Sequence, residues 1–321
     1  MKRQLIFIVL LVILLAGLPQ VIKKESTINL LILIFLYVIL ATGWNILGGY
    51  AGQLSLGHAA FFSIGAYTSA VLAIHWGISP WLGMFVGAVL AMLLSLGIGY
   101  LGFRFGLRGF YFVLLTVASA EICRLIALHL PILGGYTGLF INFTPNPLHF
   151  QFQGKIPYYF VSLGFLTAAS LVVWLIQRSK LGVYLLAIRD DEDASEALGV
   201  DTFRYKMVAY AVSAALTAFG GTFYAYYQFY LQPNTVLTMN HSVDIMIRAI
   251  VGGAGTILGP ILGSFLLELL GEFSRTFFAG GVAGLNVVMY GVLLIVVVLF
   301  LPRGVYPAVV ALVRRATGRR A

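Results

Sequence analysis

STINLLILIFLYVILATGWNILGGYAGQLSLGHAAFFSIGAYTSAVLAIHWGISPWLGMFVGAVLAMLLSLGIGYLGF (26–103) runs for 78 residues without an Asp, Glu, Lys or Arg. A helix needs about 20 apolar residues to cross the hydrocarbon core of a bilayer. The run is therefore long enough for three crossings, with turn residues Gly77 and Pro80 between two of them. Its apolar residues are continuous and do not alternate with polar ones, which argues against a transmembrane barrel. Uncharged stretches recur at 156–177, 207–243, 249–267 and 276–302. The whole chain of 321 residues is 60% hydrophobic and 10% charged. Soluble domains carry about 25% charged residues, and disordered chains have few apolar ones. The expectation is an all-α, polytopic membrane helical bundle of about eight to ten transmembrane helices. It forms one membrane domain over 1–321, with little chain left for a soluble one.

The expected spans cover 4–22, 27–47, 58–74, a fourth from Pro80 to 101, 109–130, 156–177, 207–231, 261–275 and 286–301. A short apolar piece occupies 243–251, and 131–155 is the longest connection with turn chemistry. The apolar run after Lys2 and Arg3 resembles a signal peptide, but it continues to Ile22 with no small-x-small site after it. It reads as a first span. Lys and Arg concentrate on the cytoplasmic side of membrane proteins. An N-in, C-in arrangement places 14 of the 20 basic residues inside: Lys2, Arg3, Arg104, Arg108, Arg178, Lys180, Arg189, Arg204, Lys206, Arg303, Arg314, Arg315, Arg319 and Arg320. That parity requires 243–275 to go in and come back. The net charge of +9 thus belongs to loops and ends rather than to a basic helix for nucleic acid. A lone cysteine, Cys123, excludes an internal disulfide, and the five histidines (58, 75, 129, 149 and 241) show no ligand spacing. No metal, cofactor or catalytic group is expected.

Two glycine-rich breaks echo each other: GGYAGQLSLG (48–57) and GGAGTILGP (252–260). Non-helical backbone at membrane depth must be buried in protein or line a watery cavity. Matched interruptions in two halves of a chain point to a translocation path. Close helix packing through small residues is the alternative. Path candidates are Asn45, Gly49, Gly52, Gln53, Ser55 and His58 at the first break, and Arg248, Gly252, Gly253, Gly255 and Thr256 at the second. His58 reads first as a packing histidine. Glu121 and Arg124 stand three apart and Asp244 and Arg248 four apart, so each pair shares a helix face. Pairing would fix helix register, and charges inside a membrane also mark functional sites.

The stretch RSKLGVYLLAIRDDEDASEALGVDTFRYK (178–206) holds six of the eleven acidic residues. Acids favour a helix N-terminus, and Gly199 suits a helix end. The expectation is a short cytoplasmic helix over 190–199 with Ala194, Ala197 and Leu198 on an apolar face. Such a face fits a groove on a partner protein.

Glu196, Ala197, Leu198 and Gly199 resemble the EAA-x-x-x-G loop of ATP-binding-cassette importer permeases, with one alanine of the pair missing. The runs 49–70, RGFYFVLLTVASAEICR (108–124), GGYTGL (134–139), AIRDDEDASEALGV (187–200) and LPRG (301–304) resemble the LivM-type branched-chain amino-acid permeases. The resemblance covers about residues 30 to 305. It implies a multi-pass subunit of a prokaryotic inner (plasma) membrane that forms half of a translocation pathway. It also implies an ATPase-coupling segment over Arg189, Asp190, Asp191, Glu192, Ala194, Glu196, Ala197, Leu198 and Gly199. Implied partners are a homologous LivH-type permease, two ATPase subunits, and a periplasmic or lipid-anchored binding protein. The chain lacks the phosphate loop G-x-x-x-x-G-K-[ST], so ATP hydrolysis would come from other chains. Permeases for urea, short amides or sugars share this pattern and remain alternatives. A membrane enzyme would need a ligand or carboxylate constellation the sequence does not show. A channel would have no use for the acidic loop.

Overall fold

The computed structural model describes residues 2–21, 24–277 and 304–316, and parts of 288–299. The expected span over 286–301 lies for the most part outside the described residues. Helices α1 (Lys2–Val21), α2 (Glu25–Asn45), α3 (His58–Trp76), α4 (Pro80–Arg104), α5 (Phe110–His129) and α6 (Ile156–Arg178) follow in order. They are followed by α7 (Lys180–Asp190), α8 (Glu192–Ala197), α9 (Thr202–Gln228), α10 (Pro233–Val236), α11 (Met239–Gly253) and α12 (Leu258–Phe277). A further helix covers Val305–Ala316.

Among the described residues, six helices are long and apolar enough to cross a membrane: α2 to α6 and α9. Counting α11 and α12 as one broken span makes seven. The two are bent by 115°. The chain is thus an all-α, multi-pass membrane bundle. Helix α1 and the segment 286–301 are the two further spans in the sequence count.

Turn chemistry sets the helix ends. Pro80 and Pro157 sit in first turns, where a missing N–H costs nothing. Asp201 caps α9 by accepting from Arg204 N at 2.9 Å. Helix α2 continues as one π-helical turn over Ile46–Tyr50 before the chain breaks away. The most buried helix is this one, packed between α6, α9, α11 and α12. A second packing group joins α3, α4 and α9 through small residues. A methyl group added at Gly65 would lie 2.0 Å from Ala218 O, and one at Gly221 1.8 Å from Phe62 O. Only glycine permits α3 and α9 to approach with backbones in contact, as in small-residue membrane packing. Tyr159 OH ties α6 to α1 by donating to Leu15 O at 2.5 Å.

The helices alternate direction and give the bundle two unlike ends. One end gathers the 46–57 turn, the 104–109 loop, the 178–202 segment and the 253–257 break. The other carries the two short antiparallel strands β1 (Leu139–Phe140) and β2 (Tyr230–Leu231). There Ser79 Oγ donates to Leu148 O at 2.6 Å and Trp81 Nε1 to Pro147 O at 2.9 Å, so 131–155 folds over the α3–α4 turn.

Two expectations change. The stretch 178–206 is not mainly a loop, because α7 starts one residue after α6 and buries Gly182, Leu185 and Ile188 against the bundle. The short piece at 243–251 is a 15-residue helix, α11, which starts at Met239 behind the capping residue Thr238. Together α11 and α12 form a helix pair bent at the 254–257 break.

Candidate functional site

The two glycine breaks meet. Asn45, buried at the end of α2, donates Nδ2 to Thr256 O at 2.9 Å and accepts from Gly255 N at 2.8 Å. One side chain thereby satisfies both faces of the broken backbone, as a site without solvent requires. The backbones also touch directly. A methyl group at Gly49 would lie 2.4 Å from Gly255 N, and one at Gly255 2.9 Å from Gly49 O. Thr256 Oγ1 donates to Gly253 O at 2.7 Å and accepts from Gly259 N at 3.0 Å, which caps α12. Gly252 packs against Gly259 O, and Gly253 against Gly304, the last residue of the LPRG segment. Arg189, in the last turn of α7, closes the junction from outside by donating Nη1 to Gly49 O at 3.0 Å.

The rest of the first break turns inward on itself. Trp44 Nε1 donates to Ser55 O at 2.8 Å, and Ser55 Oγ accepts from Gly57 N at 3.3 Å. Gln53 Nε2 reaches Ala51 O at 3.4 Å, while Gly52 is exposed beside the Arg189 side chain. His58 is fully buried, with Nε2 2.8 Å from Ser213 Oγ, and Ser213 donates onward to Gly43 O at 2.7 Å. Its ring packs edge-on against Phe61.

A buried charge cluster lies on the α11–α12 hairpin. Arg248 is paired with Asp244 at 3.1 Å and with Glu268 of α12 at 2.9 Å, where the Arg248 and Glu268 side chains are 5% and 6% exposed. Glu268 also meets Arg275 at 3.2 Å, and Arg275 meets Glu272 at 3.3 Å. The Arg248 guanidinium lies 3.5 Å from the centroid of the Tyr37 ring, so α2 joins the cluster. The Glu121–Arg124 pair on α5 is more open. Glu121 Oε2 accepts from Arg124 Nε at 2.9 Å, the Glu121 side chain is 49% exposed, and Arg124 Nη1 donates to Asn234 Oδ1 at 2.7 Å.

The acidic segment is a stapled helix. Asp190 ends α7 and lies 3.3 Å from Arg189. Asp191 caps α8, accepting from Ala194 N at 2.9 Å. Helix α8 spans only Glu192–Ala197, shorter than the expected 190–199. Glu192 turns back to a buried Lys206 at 2.6 Å, and Glu196 accepts from Thr202 Oγ1. Asp193 takes a two-pronged contact from Arg108, at 2.7 and 3.1 Å. That bond holds the Asp193 carboxyl below the usual carboxylate range. Of the acids only Glu192 is largely covered, at 13% exposed; Asp193 and Glu196 are exposed together with Ala194, Ala197 and Leu198, and Leu198 is 85% exposed. Gly199 follows with φ +86, the left-handed turn that ends the helix.

Residues 26–298 match the family model described as branched-chain amino acid transport system / permease component. The chain belongs to this family. The permease is 28% identical to the high-affinity branched-chain amino acid transport system permease protein LivM of Escherichia coli (strain K12), over 95% of this chain and 75% of that one. It is 24% identical to the probable LivM of Methanocaldococcus jannaschii, over 87% and 93%. The permease protein LivH of Escherichia coli (strain K12) is 24% identical, over 84% and 90%. A solved structure, PsaBC from Streptococcus pneumoniae in complex with Fab, covers 88% of the permease at 17% identity with a TM-score of 0.45.

The permease thus brings together Asn45, Gly49, Gly255, Thr256 and Arg189, which the sequence places in separate groups. Gly252 and Gly253 sit directly behind them. Gln53 and Ser55 lie within the first break and His58 opens α3, with their side-chain hydrogen bonds directed to Ala51, Gly57 and Ser213. Arg248 belongs to a different assembly, the hairpin cluster. Three participants escape a reading of the sequence, Tyr37, Lys206 and Gly304, while Glu268 is legible as an alternative counter-charge for Arg248. Glu268 carries a signal, since an acid in an apolar run needs a cation. Nothing near Tyr37 or Gly304 in the chain marks its partner.

Proposed function

We propose that the permease forms half of the pathway of an ATP-driven importer for branched-chain amino acids in a prokaryotic plasma membrane. It pairs with a homologous LivH-type permease, and α8 with Leu198 and Gly199 docks into an ATPase subunit. Transport rather than catalysis is its activity, and the ATPase chains supply hydrolysis. A periplasmic or lipid-anchored binding protein delivers substrate to the opposite end. The whole chain acts as one permease domain, with both termini cytoplasmic and 178–206 as the coupling segment.

One observation carries this reading: the outward face of α8. Leu198 is 85% exposed beside exposed Ala194 and Ala197, while the buried Ser195 and the Glu192–Lys206 pair anchor the helix from behind. The basic residues Arg104, Arg108, Arg178, Lys180, Arg189, Arg204 and Lys206 all sit at the same end, as the positive-inside rule asks of a cytoplasmic one. The family match and the LivM and LivH relatives support the substrate class and the paired permease.

The test is Ala197→Asp. Burying an unpaired charge in the dock costs several kcal/mol, on the order of 3–5. The expected outcome is normal membrane insertion, loss of ATPase co-purification and loss of leucine uptake. ATPase binding and uptake at the unsubstituted level would refute the docking assignment.

A further inference from the structure

Arg189 stands where three segments converge. It occupies the last turn of α7, two residues before Asp191, the cap of α8. Its Nη1 donates to Gly49 O at 3.0 Å, at the end of the α2 π turn. Its Cγ lies 2.8 Å from where a Gly52 methyl would be, and Nη1 2.5 Å from where a Gly255 methyl would be. Asp190 Oδ1 accepts from Nε and Nη2 at 3.4 and 3.3 Å and so orients the guanidinium. The cation sits where the end of α2 presents unsatisfied carbonyls, the favoured place for positive charge on a helix.

The breaks beneath it are suited to moving apart. They touch through glycines and through the Asn45 amide. Two backbones joined by a few hydrogen bonds at loop positions form a hinge, and such contacts are either made or broken. Arg189 is linked to α8 by a stiff connection, because Asp191 N donates to Ala187 O at 3.0 Å and Asp191 itself caps α8. A displacement of α8 by more than a hydrogen-bond length therefore carries the guanidinium away from Gly49.

We propose that Arg189 is the positioning residue that transmits movement of α8 to the two glycine breaks, holding the 46–57 turn and the 253–257 break together until α8 moves. The proposal rests on the reading of α8 as the ATPase dock. It assigns Arg189 a mechanical role that neither the docking face nor the breaks perform alone.

The experiment uses the complete complex of this permease, its second permease and both ATPases in lipid vesicles. Ala51, fully buried beside the first break, becomes the reporter as Ala51→Cys in a Cys123→Ala background. Labelling by a small water-soluble thiol reagent is measured without nucleotide and with trapped ATP, alongside leucine uptake per ATP hydrolysed. Arg189→Gln should raise nucleotide-free labelling about tenfold, the factor one charge-assisted hydrogen bond is worth in a two-state equilibrium. It should also remove the nucleotide dependence and lower uptake per ATP by a similar factor, with both ATPases still co-purifying. Arg189→Lys, which keeps a cation within reach of Gly49 O, should recover part of both. A purely structural arginine would change complex yield and leave the nucleotide dependence intact, and that result overturns the proposal. Loss of the ATPases from Arg189→Gln overturns it as well, by assigning Arg189 to the dock. If Ala197→Asp keeps its ATPases, the docking reading fails separately, and nucleotide-free labelling still decides whether Arg189 holds the junction.

Discussion

Arg124 and Arg248 look alike in the sequence and unlike in the bundle. Each has an acid within one helical turn on an apolar helix. Arg124 sits on α5, the least buried of the six spans, with a half-exposed Glu121 and a hydrogen bond to Asn234. Arg248 sits inside the hairpin, pressed on Tyr37 and held by two acids from two helices. Helical spacing brings an acid to an arginine in both places, but only packing decides whether that acid is the main partner. For Arg248 the more buried partner is Glu268, not the Asp244 that spacing singles out.

The largest effect should come from Glu268→Gln. It leaves Arg248 with the partly exposed Asp244 and Arg275 with Glu272 alone. Breaking a buried pair from one side costs about 3–5 kcal/mol in soluble proteins. Unfolding of the purified permease in detergent should shift by a large part of that amount. A loss below about 1 kcal/mol, the level of an exposed pair, would erase the contrast between the two arginines.

Double-mutant cycles give the next effect in size. The Arg248–Glu268 coupling should reach about 1–2 kcal/mol, the upper range for interhelical polar contacts in membranes. The Arg248–Asp244 coupling should be smaller, because Asp244 keeps access to surroundings outside the cluster. Asp244→Asn should therefore be milder than Glu268→Gln. Pairing of Arg248 with Asp244 alone predicts the reverse order, with Asp244→Asn stranding the cation. Equal couplings would mean that the two acids act as one unit.

The smallest effect belongs to α5. Exposed pairs are worth about 0.2–1 kcal/mol, and the cycle for Glu121→Gln and Arg124→Gln should fall in that window. A coupling as large as that of Arg248 with Glu268 would show that another chain buries this face in the assembled importer.

The spans are legible in the sequence because hydrocarbon imposes a length. Expected limits at 58–74, 109–130 and 156–177 fall within two residues of α3, α5 and α6. The exposure of Ala194, Ala197 and Leu198 is legible too. The acids around them do open α8, with Asp191 as cap and Glu192 and Asp193 in the first turn, but they also have partners that their position does not suggest. Only Asp191 caps; Glu192, Asp193 and Glu196 bind Lys206, Arg108 and Thr202. Their partners lie on α9 or on the loop before α5, where local charge patterning has no reach. Asn45 reads as a polar group for a passing solute, and the structure uses both ends of its amide to mend the second break.

By itself the sequence determined the main features that local rules govern. Those are the apolar runs that must be membrane helices, the glycines that must interrupt them, and the charge asymmetry of their connections. Each depends on residues within a few turns of one another. Only the tertiary structure decided that the two glycine breaks are one junction, that Arg189 clasps it, and that Glu268 holds Arg248. The Asn45–Gly255 bond spans 210 positions, and its partners are chosen by which helices pack at which depth. That choice comes from the shape of whole buried faces, down to the absence of a Cβ at Gly49, Gly65, Gly221 and Gly255. No short stretch of the chain contains it.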